Sequence, residues 1–215
     1  MRKQIRKNMA TLGTMIDRIE AEIGRSDLTA AVKEAIQTAI RFYERRRFYF
    51  NELRSSFSTS SSKEYYGSAD AAFIARLVDI DSITIDVNTS TYPVVPRDFS
   101  YIDQVQTNAG YTGDPTDYVY YNSQLRFYPI PQTARAVNVS GVQKFVTLTA
   151  TASTNAWFTD AEALIRARAK YELYHHRIQK PEKAAQMRGA ELDALAALEG
   201  ETFSKIAGRL RPTAF

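Results

Sequence analysis

Hydrophobic spacing changes twice along this chain, and the two changes dictate its plan. Up to about Asn51, apolar residues recur every three or four positions, as on helices. Thr11–Ile23 carries Leu12, Met15, Ile16, Ile19 and Ile23 at that spacing, and Gly24 follows where helices favour a left-handed cap. Ser26 or Asp27 is the expected cap of a second helix with the stripe Leu28, Val32, Ile36, Ala39, Ile40 and Tyr43. That helix ends in Arg41–Asn51, RFYERRRFYFN, where nearly every position is a long cation or a large ring.

Strand character follows. Glu52–Thr59 and Lys63–Tyr66 flank the serine-rich Ser58–Ser62 and predict a hairpin. Ser82–Val87 alternates polar and apolar, and Asn88-Thr89-Ser90 is turn chemistry before Tyr92–Val95. Arg97–Gln106 predicts a short helix, Tyr118–Tyr121 with Leu125–Tyr128 another hairpin, and Ala136–Val146 a last strand. Helical spacing returns after Trp157. Thr159-Asp-Ala-Glu162 reads as a capping box. Leu164, Ala167, Tyr171, Tyr174 and Ile178 predict the buried face of that helix. Pro181 suits the first position of a final helix running to about Ile206 with Met187, Leu192, Leu195 and Leu198.

The expected class is α+β. Helix pairs at residues 9–50 and 157–207 would form one bundle, with a small antiparallel β domain at 51–156 inserted between them. Residues 1–8 are expected as a flexible arm or upstream extension, and residues 208–215 as an extended C-terminal arm.

Composition narrows the function classes. The chain has 215 residues and no cysteine, so disulfides and thiolate metal sites are excluded. That suits a reducing cytoplasm or a particle assembled within a cell. No apolar run approaches the ~20 residues that span a bilayer. The net charge of +4 is spread as +5 over residues 1–54, −3 over 55–156 and +2 over 157–215. Nucleic-acid binders concentrate basic charge on one face, which this distribution does not do.

The search for catalytic chemistry is nearly empty: there is no phosphate-binding glycine loop, nucleophile elbow or zinc-type helix. No cofactor is expected. His175 and His176 are adjacent, hence about 100° apart on a helix and poorly placed to share a metal. Asp79, Asp81 and Asp86 lack the glycine and terminal glutamate of a calcium loop and read as sheet-edge charges. Tyr111, Tyr118, Tyr120, Tyr121 and Tyr128 form either a stacking platform for nucleic acid or cross-strand packing with subunit contacts. With only Arg126 nearby, packing and contact is the favoured reading. Arg45, Arg46 and Arg47 fan around a helix end, so some are solvated or paired with Glu44 and Glu52 while others can reach a neighbouring subunit.

Several ordered segments carry a resemblance: Arg25–Leu28, Phe42–Glu52, Gly113–Tyr118 (GDPTDY), Leu125–Pro131 (LRFYPIP), Trp157–Lys170 and the closing Arg211–Phe215. Together they resemble the head-to-tail connector, or adaptor, proteins of tailed bacteriophages. Gly67–Ala75 departs from that pattern, standing in place of a short proline-containing turn.

The resemblance implies a non-enzymatic virion protein of the head–tail junction, assembled in the host cytoplasm. It would form a ring of about twelve copies beneath the portal. Its partners would be the portal, tail nozzle or tail-tube proteins, further copies of itself, and genomic DNA passing without sequence recognition; no membrane is implied. The tail residues Arg209, Leu210, Arg211, Pro212 and Phe215 would bind the portal. Arg45, Arg46, Arg47, Tyr49, Tyr118, Tyr120 and Tyr121 would serve subunit or tail contacts. The alternative is a nucleic-acid-binding module using the arginine-rich helix end and the tyrosine sheet. A cell-wall hydrolase would need a glutamate in a cleft, and nothing marks one.

Overall fold

Thr11 starts the first helix with a reciprocal cap: its hydroxyl accepts the Thr14 N–H at 3.2 Å, and the Thr14 hydroxyl oxygen accepts the Thr11 N–H at 2.8 Å. Helix α1, Leu12–Ile23, buries Leu12, Met15, Ile16 and Ile19 and ends at Gly24 with φ 73°. Only glycine adopts that left-handed cap without a steric penalty. Helix α2, Thr29–Tyr43, starts at Leu28 with no side-chain cap. The expected cap, Ser26 or Asp27, is therefore corrected: both Asp27 oxygens accept bonds from Arg25 at 2.6 Å, and the Thr29 hydroxyl donates to Glu20.

The computed structural model describes residues 10–106 and 111–207. The described residues are α+β, with six α-helices and a seven-stranded sheet. They divide into a helical unit, made from the chain up to Asn51 and from Phe145 onward, and a sheet unit, Glu52–Lys144. The expected arms, residues 1–8 and 208–215, lie outside the described residues.

The sheet unit contains β1 (Glu52–Ser58), β2 (Tyr65–Tyr66), β3 (Leu77–Val87), β4 (Ser90–Pro96), helix α3 (Phe99–Val105), β5 (Thr112–Gly113), β6 (Asp117–Tyr121), β7 (Gln124–Tyr128), β8 (Ile130–Pro131) and β9 (Ala136–Gln143). The large sheet has the order β1-β9-β3-β4-β6-β7-β2, and β5 pairs β8 separately. A wholly antiparallel insert was the expectation. Instead β4 pairs β6 in parallel, because α3 carries the chain across between them, and β5 with β8 is parallel too.

The hairpin expected of Glu52–Thr59 and Lys63–Tyr66 is also corrected. All of β1 pairs β9, from Glu52 opposite Val142 to Ser58 opposite Ala136, while β2 pairs β7 at the other edge. The sheet curls enough for the two edges to touch through side chains: the Phe57 ring lies 5.4 Å from Tyr66 and 6.3 Å from Phe127. Aromatic packing, rather than a shared ladder, joins these segments. Gly67–Ala75 fills the same core with Phe73, and Ile74 follows it in.

The aspartates read as edge charges lie on β3, which is flanked by β9 and β4. Asp86 is tied across strands, accepting from Thr91 at 2.6 Å and Asn138 at 3.1 Å, which holds its carboxyl below the usual range. Two register shifts bulge β3 against β9 and press the Asp79 carbonyl toward Gly141. A Cβ at position 141 would stand 2.1 Å from that oxygen, so only glycine fits.

In the helical unit, α4 (Ala156–Thr159) is capped by Asn155 and buries Trp157 and Phe158. The capping box expected at Thr159 and Glu162 does not form. Thr159 ends α4 and turns its hydroxyl to Asp160, while Glu162 meets Arg18. Helix α5 (Glu162–Glu172) starts after Ala161 with no side-chain cap. It runs into a π-helical turn, Leu173–Arg177, and Gln179 takes φ 57° before α6, Pro181–Ala207. Of the face expected for α5, Leu164, Ala167 and Tyr174 are buried, and Tyr171 and Ile178 half-buried.

Helix α6 buries Ala184, Glu191, Leu198 and Thr202. Glu191 is the surprise, a carboxylate with no exposure. It accepts the Tyr43 hydroxyl and guanidinium bonds from Arg188 at 2.8 Å and Arg168 at 3.3 Å. Burial, and then the neighbouring Glu191, push the Tyr43 hydroxyl well above its ordinary pKa. A buried charge left without partners costs several kcal/mol, so this knot fixes the register of α6 on α2 and α5.

Glu191→Ala is expected to cost about 3–5 kcal/mol of unfolding free energy in urea; a loss below ~1 kcal/mol, the scale of a surface pair, would contradict the reading. Gly141→Ala is expected to cost about 1–3 kcal/mol, as overpacking does, and an unchanged urea midpoint would show that the bulge relaxes freely.

Candidate functional site

The run that closes α2 is sorted by side-chain chemistry. Tyr43 and Phe48 are buried, whereas Arg45, Arg46 and Arg47 are exposed. Asn51, fully buried, makes this sorting rigid: its Oδ1 accepts the Phe48 N–H at 2.8 Å and its Nδ2 donates to the Arg46 carbonyl at 2.7 Å. A closed polar turn thus presents three consecutive cations outward.

The rings form a cluster with residues from the returning chain. Phe48 and Phe50 stack at 5.5 Å, and Trp157 meets both edge-on, at 5.8 and 5.0 Å. Phe145 stacks on Phe50 at 6.2 Å. Each such pair adds about 0.5–1.5 kcal/mol beyond its buried area. The point where the chain leaves the helical unit and the point where it re-enters are therefore held by one set of rings.

The arginine turn lies beside the last turns of α6. Arg46 pairs with Glu199 at 2.9 Å. The Tyr49 hydroxyl donates to Asp160 at 2.7 Å, and the Lys205 ammonium sits 3.3 Å from the ring centre. Burial, then the bond to Asp160, raise the Tyr49 pKa. Arg47 is also engaged, as are Glu44 and Glu52. Arg45 stands exposed. The segment expected to bind the portal, Arg209, Leu210, Arg211, Pro212 and Phe215, follows α6 in sequence and lies outside the described residues.

The tyrosines lie in the sheet unit. Tyr118 packs in its core at 5% exposure, and the half-buried Tyr120 donates its hydroxyl to the Ile74 carbonyl at 2.8 Å. Tyr121 is 62% exposed and leans on Phe99 at 4.9 Å. Exposed Tyr111 leans on Tyr128 at 5.8 Å. So Arg45, Arg46, Arg47 and Tyr49 share one unit, while Tyr118, Tyr120 and Tyr121 belong to the other.

Arg126, the cation nearest those tyrosines, is 7% exposed and clamped between Glu64 and Asp103. Its guanidinium also covers Phe99 at 5.1 Å and Tyr65 at 5.3 Å. Two carboxylates more than cancel its charge, which leaves nothing there for a phosphate. Arg97 is likewise paired, with Asp117 at 2.6 Å.

His175 stacks on Tyr171 at 5.5 Å and His176 approaches Glu172 at 3.2 Å. Among the described residues no three His, Asp or Glu side chains converge as a metal site, and no helix is long and apolar enough to cross a membrane. Sequence reasoning missed Asn51 and Glu191. The seven-residue spacing of Ala184, Glu191 and Leu198 was the available signal for Glu191; for Asn51 the sequence carries none.

No curated protein matches this chain. A family model does, over residues 10–213, which takes in both helical ends, the sheet and most of the closing segment. That span includes the ordered motifs quoted above from Arg25–Leu28 to Trp157–Lys170, and ends within the last, at Thr213. The chain belongs to the SU10 adaptor protein family, a family of phage head-to-tail adaptors.

Proposed function

We propose that this chain is a ring-forming adaptor seated beneath the phage portal, where it docks the tail and continues the DNA channel. The family match over residues 10–213 carries the reading. In it, helix pairs from the two ends of the chain form the bundle that is the body of the ring, and the inserted sheet domain offers surface to neighbours and to the tail. Residues 208–215 bind the portal: Leu210 and Phe215 fill its apolar pockets, Arg209 and Arg211 meet its carboxylates, and Pro212 belongs to the same contact.

The rigid arginine turn supports a role in protein contact. Cations held on a closed turn lose little entropy on meeting acidic groups, and they steer encounter more than they add affinity. Arg45, Arg46 and Arg47 serve a neighbouring subunit or the tail, with Tyr49 bracing the turn from behind. In the sheet unit exposed Tyr121 is the contact, while Tyr118 and Tyr120 support it from within. Tail partners are nozzle or tail-tube proteins, and the location is the head–tail junction of the virion.

The rival is a nucleic-acid-binding module. Its sheet would need a cation free to hold phosphates beside the tyrosines, and Arg126 is spent on Glu64 and Asp103. Genomic DNA accordingly passes without being gripped, since each tight phosphate contact would retard it.

Deleting residues 208–215 is expected to abolish capture by the portal protein while leaving the thermal unfolding midpoint unchanged. Capture that survives the deletion would overturn the arm's role. For the rival, duplex DNA titrated at two salt concentrations is expected to bind no tighter than the nonspecific range of about 10⁻⁴–10⁻⁶ M, with a shallow salt slope. Tight binding that collapses with salt would instead favour the nucleic-acid module.

A further inference from the structure

Helices α5 and α6 leave an open groove of 180 Å³ between the start of one and the later turns of the other. Its floor is apolar, with Ala161, Leu164 and Leu198 buried and Ala194 half-buried. Asp160 and Glu201, both exposed, stand on its rim, and among the described residues no cation lines it. Asp160 accepts bonds from Tyr49 and Thr159, neutral donors that leave its charge in place. Glu201 pairs with Lys205 at 2.7 Å. Exposed Asp193 lies one turn before Ala197 on the same side of α6, so the groove stays acidic with Lys205 counted. Neighbouring charges are tied elsewhere, Glu199 to Arg46 and Glu162 to Arg18 and Arg166.

Two other grooves of the helical unit carry both signs on their lining, Arg41 with Glu44 in one, and Arg177 with Glu34 and Glu172 in the other. A basic segment with an apolar side chain is matched to the α5–α6 groove and not to these.

Such a segment follows α6 directly. Residues 208–215, GRLRPTAF, place Arg209 and Arg211 on either side of Leu210 and carry no acidic side chain. They continue from Ala207, where α6 ends. Glu201 stands about 9 Å back from Ala207 along the helix. A chain running back along α6 at about 3.3 Å per residue brings Leu210 level with Glu201, and Thr213 level with residues 194–197. In an extended segment Leu210 points one way and both arginines the other. Leu210 can therefore enter the groove while the long arginine side chains bend to the carboxylates on its rim.

We infer that residues 208–215 fold back on their own subunit before the portal is met, with Leu210 in the groove between α5 and α6 and Arg209 and Arg211 on Asp160 and Glu201. This rests on the portal-binding reading of the segment and adds its regulation. The groove offers what the portal would offer, an apolar pocket with carboxylates beside it, so the two sites compete for one segment. Stored there, the segment is kept from other acidic surfaces until the portal displaces it. One apolar side chain and exposed ion pairs contribute little to global stability, so the melting midpoint expected of the deletion stands.

The chain has no cysteine, so paired thiols report the contact without background. Full-length protein bearing Thr213→Cys with Ala197→Cys is oxidised in the absence of portal, beside a control bearing Thr213→Cys with Ala196→Cys. Both helix positions are exposed and at nearly the same height, but residue 196 points about 100° away from residue 197. The internal disulfide is expected to form about tenfold faster with Ala197→Cys than with the control. Equal rates would describe an unseated segment, and covalent dimers would place it on a second copy; either overturns the inference. Glu201→Arg gives a second readout: the disulfide should form about threefold more slowly, and portal capture should run about twofold faster. An unchanged disulfide rate or an unchanged capture rate would contradict storage in the groove. Capture that survives loss of residues 208–215 would instead sink the portal reading, while the thiol rates still decide whether the segment lies in the groove.

Discussion

The contact of Phe48 and Phe50 with Trp157 and Phe145 is the one on which the rest of this architecture depends. Two stretches about a hundred positions apart in sequence meet there, one leaving the helical unit and the other returning to it. An insertion of this length closes a large loop, and its entropy is recovered only if the two ends are held together. The rings do that with the largest apolar side chains available. β1 and β9, which lead away from the two ends, then pair along all of β1.

Sorting of the Arg41–Asn51 run follows from the same constraint. Phe48 and Phe50 must turn inward to reach Trp157, and a buried asparagine closes the turn so that Arg45, Arg46 and Arg47 are left outside. A segment that in sequence looks like a mixed binding patch is physically two things: a structural plug, and a small rigid basic surface. Glu191 plays the matching part on α6, where apolar burial is thin and a charged knot with Tyr43, Arg168 and Arg188 sets position. Such knots favour one arrangement over near alternatives more than they add net stability.

Where periodicity acts over many residues the sequence was legible. The stripes of α1 and α2, the left-handed Gly24, the β6–β7 hairpin and the proline opening α6 all follow from local chemistry. Local chemistry was overridden at Thr159, whose capping box loses to the burial of Trp157 and Phe158 in a separate short helix. It also failed at β1, which joins β9 across the sheet because register is decided by distant strands rather than by the serine-rich turn. β3 looked like an edge for the same reason: Asp79 and Asp81 are exposed, but strand order is a non-local property. Of the candidate site, the sequence suggested arginines fanned around a helix end, not the turn that exposes all three, and the burial of Tyr118 could not be read, because alternating tyrosines look alike until the core side of the sheet is known.

On the proposed function, a single fold held by its aromatic cluster and the Glu191 knot serves as a repeating adaptor between head and tail. Electron microscopy of the purified chain mixed with the portal protein of the same phage tests it most directly. Rings of this chain capping one end of the portal, coaxial with its channel, are expected. Particles in which the portal remains bare at saturating concentrations of the chain would contradict it.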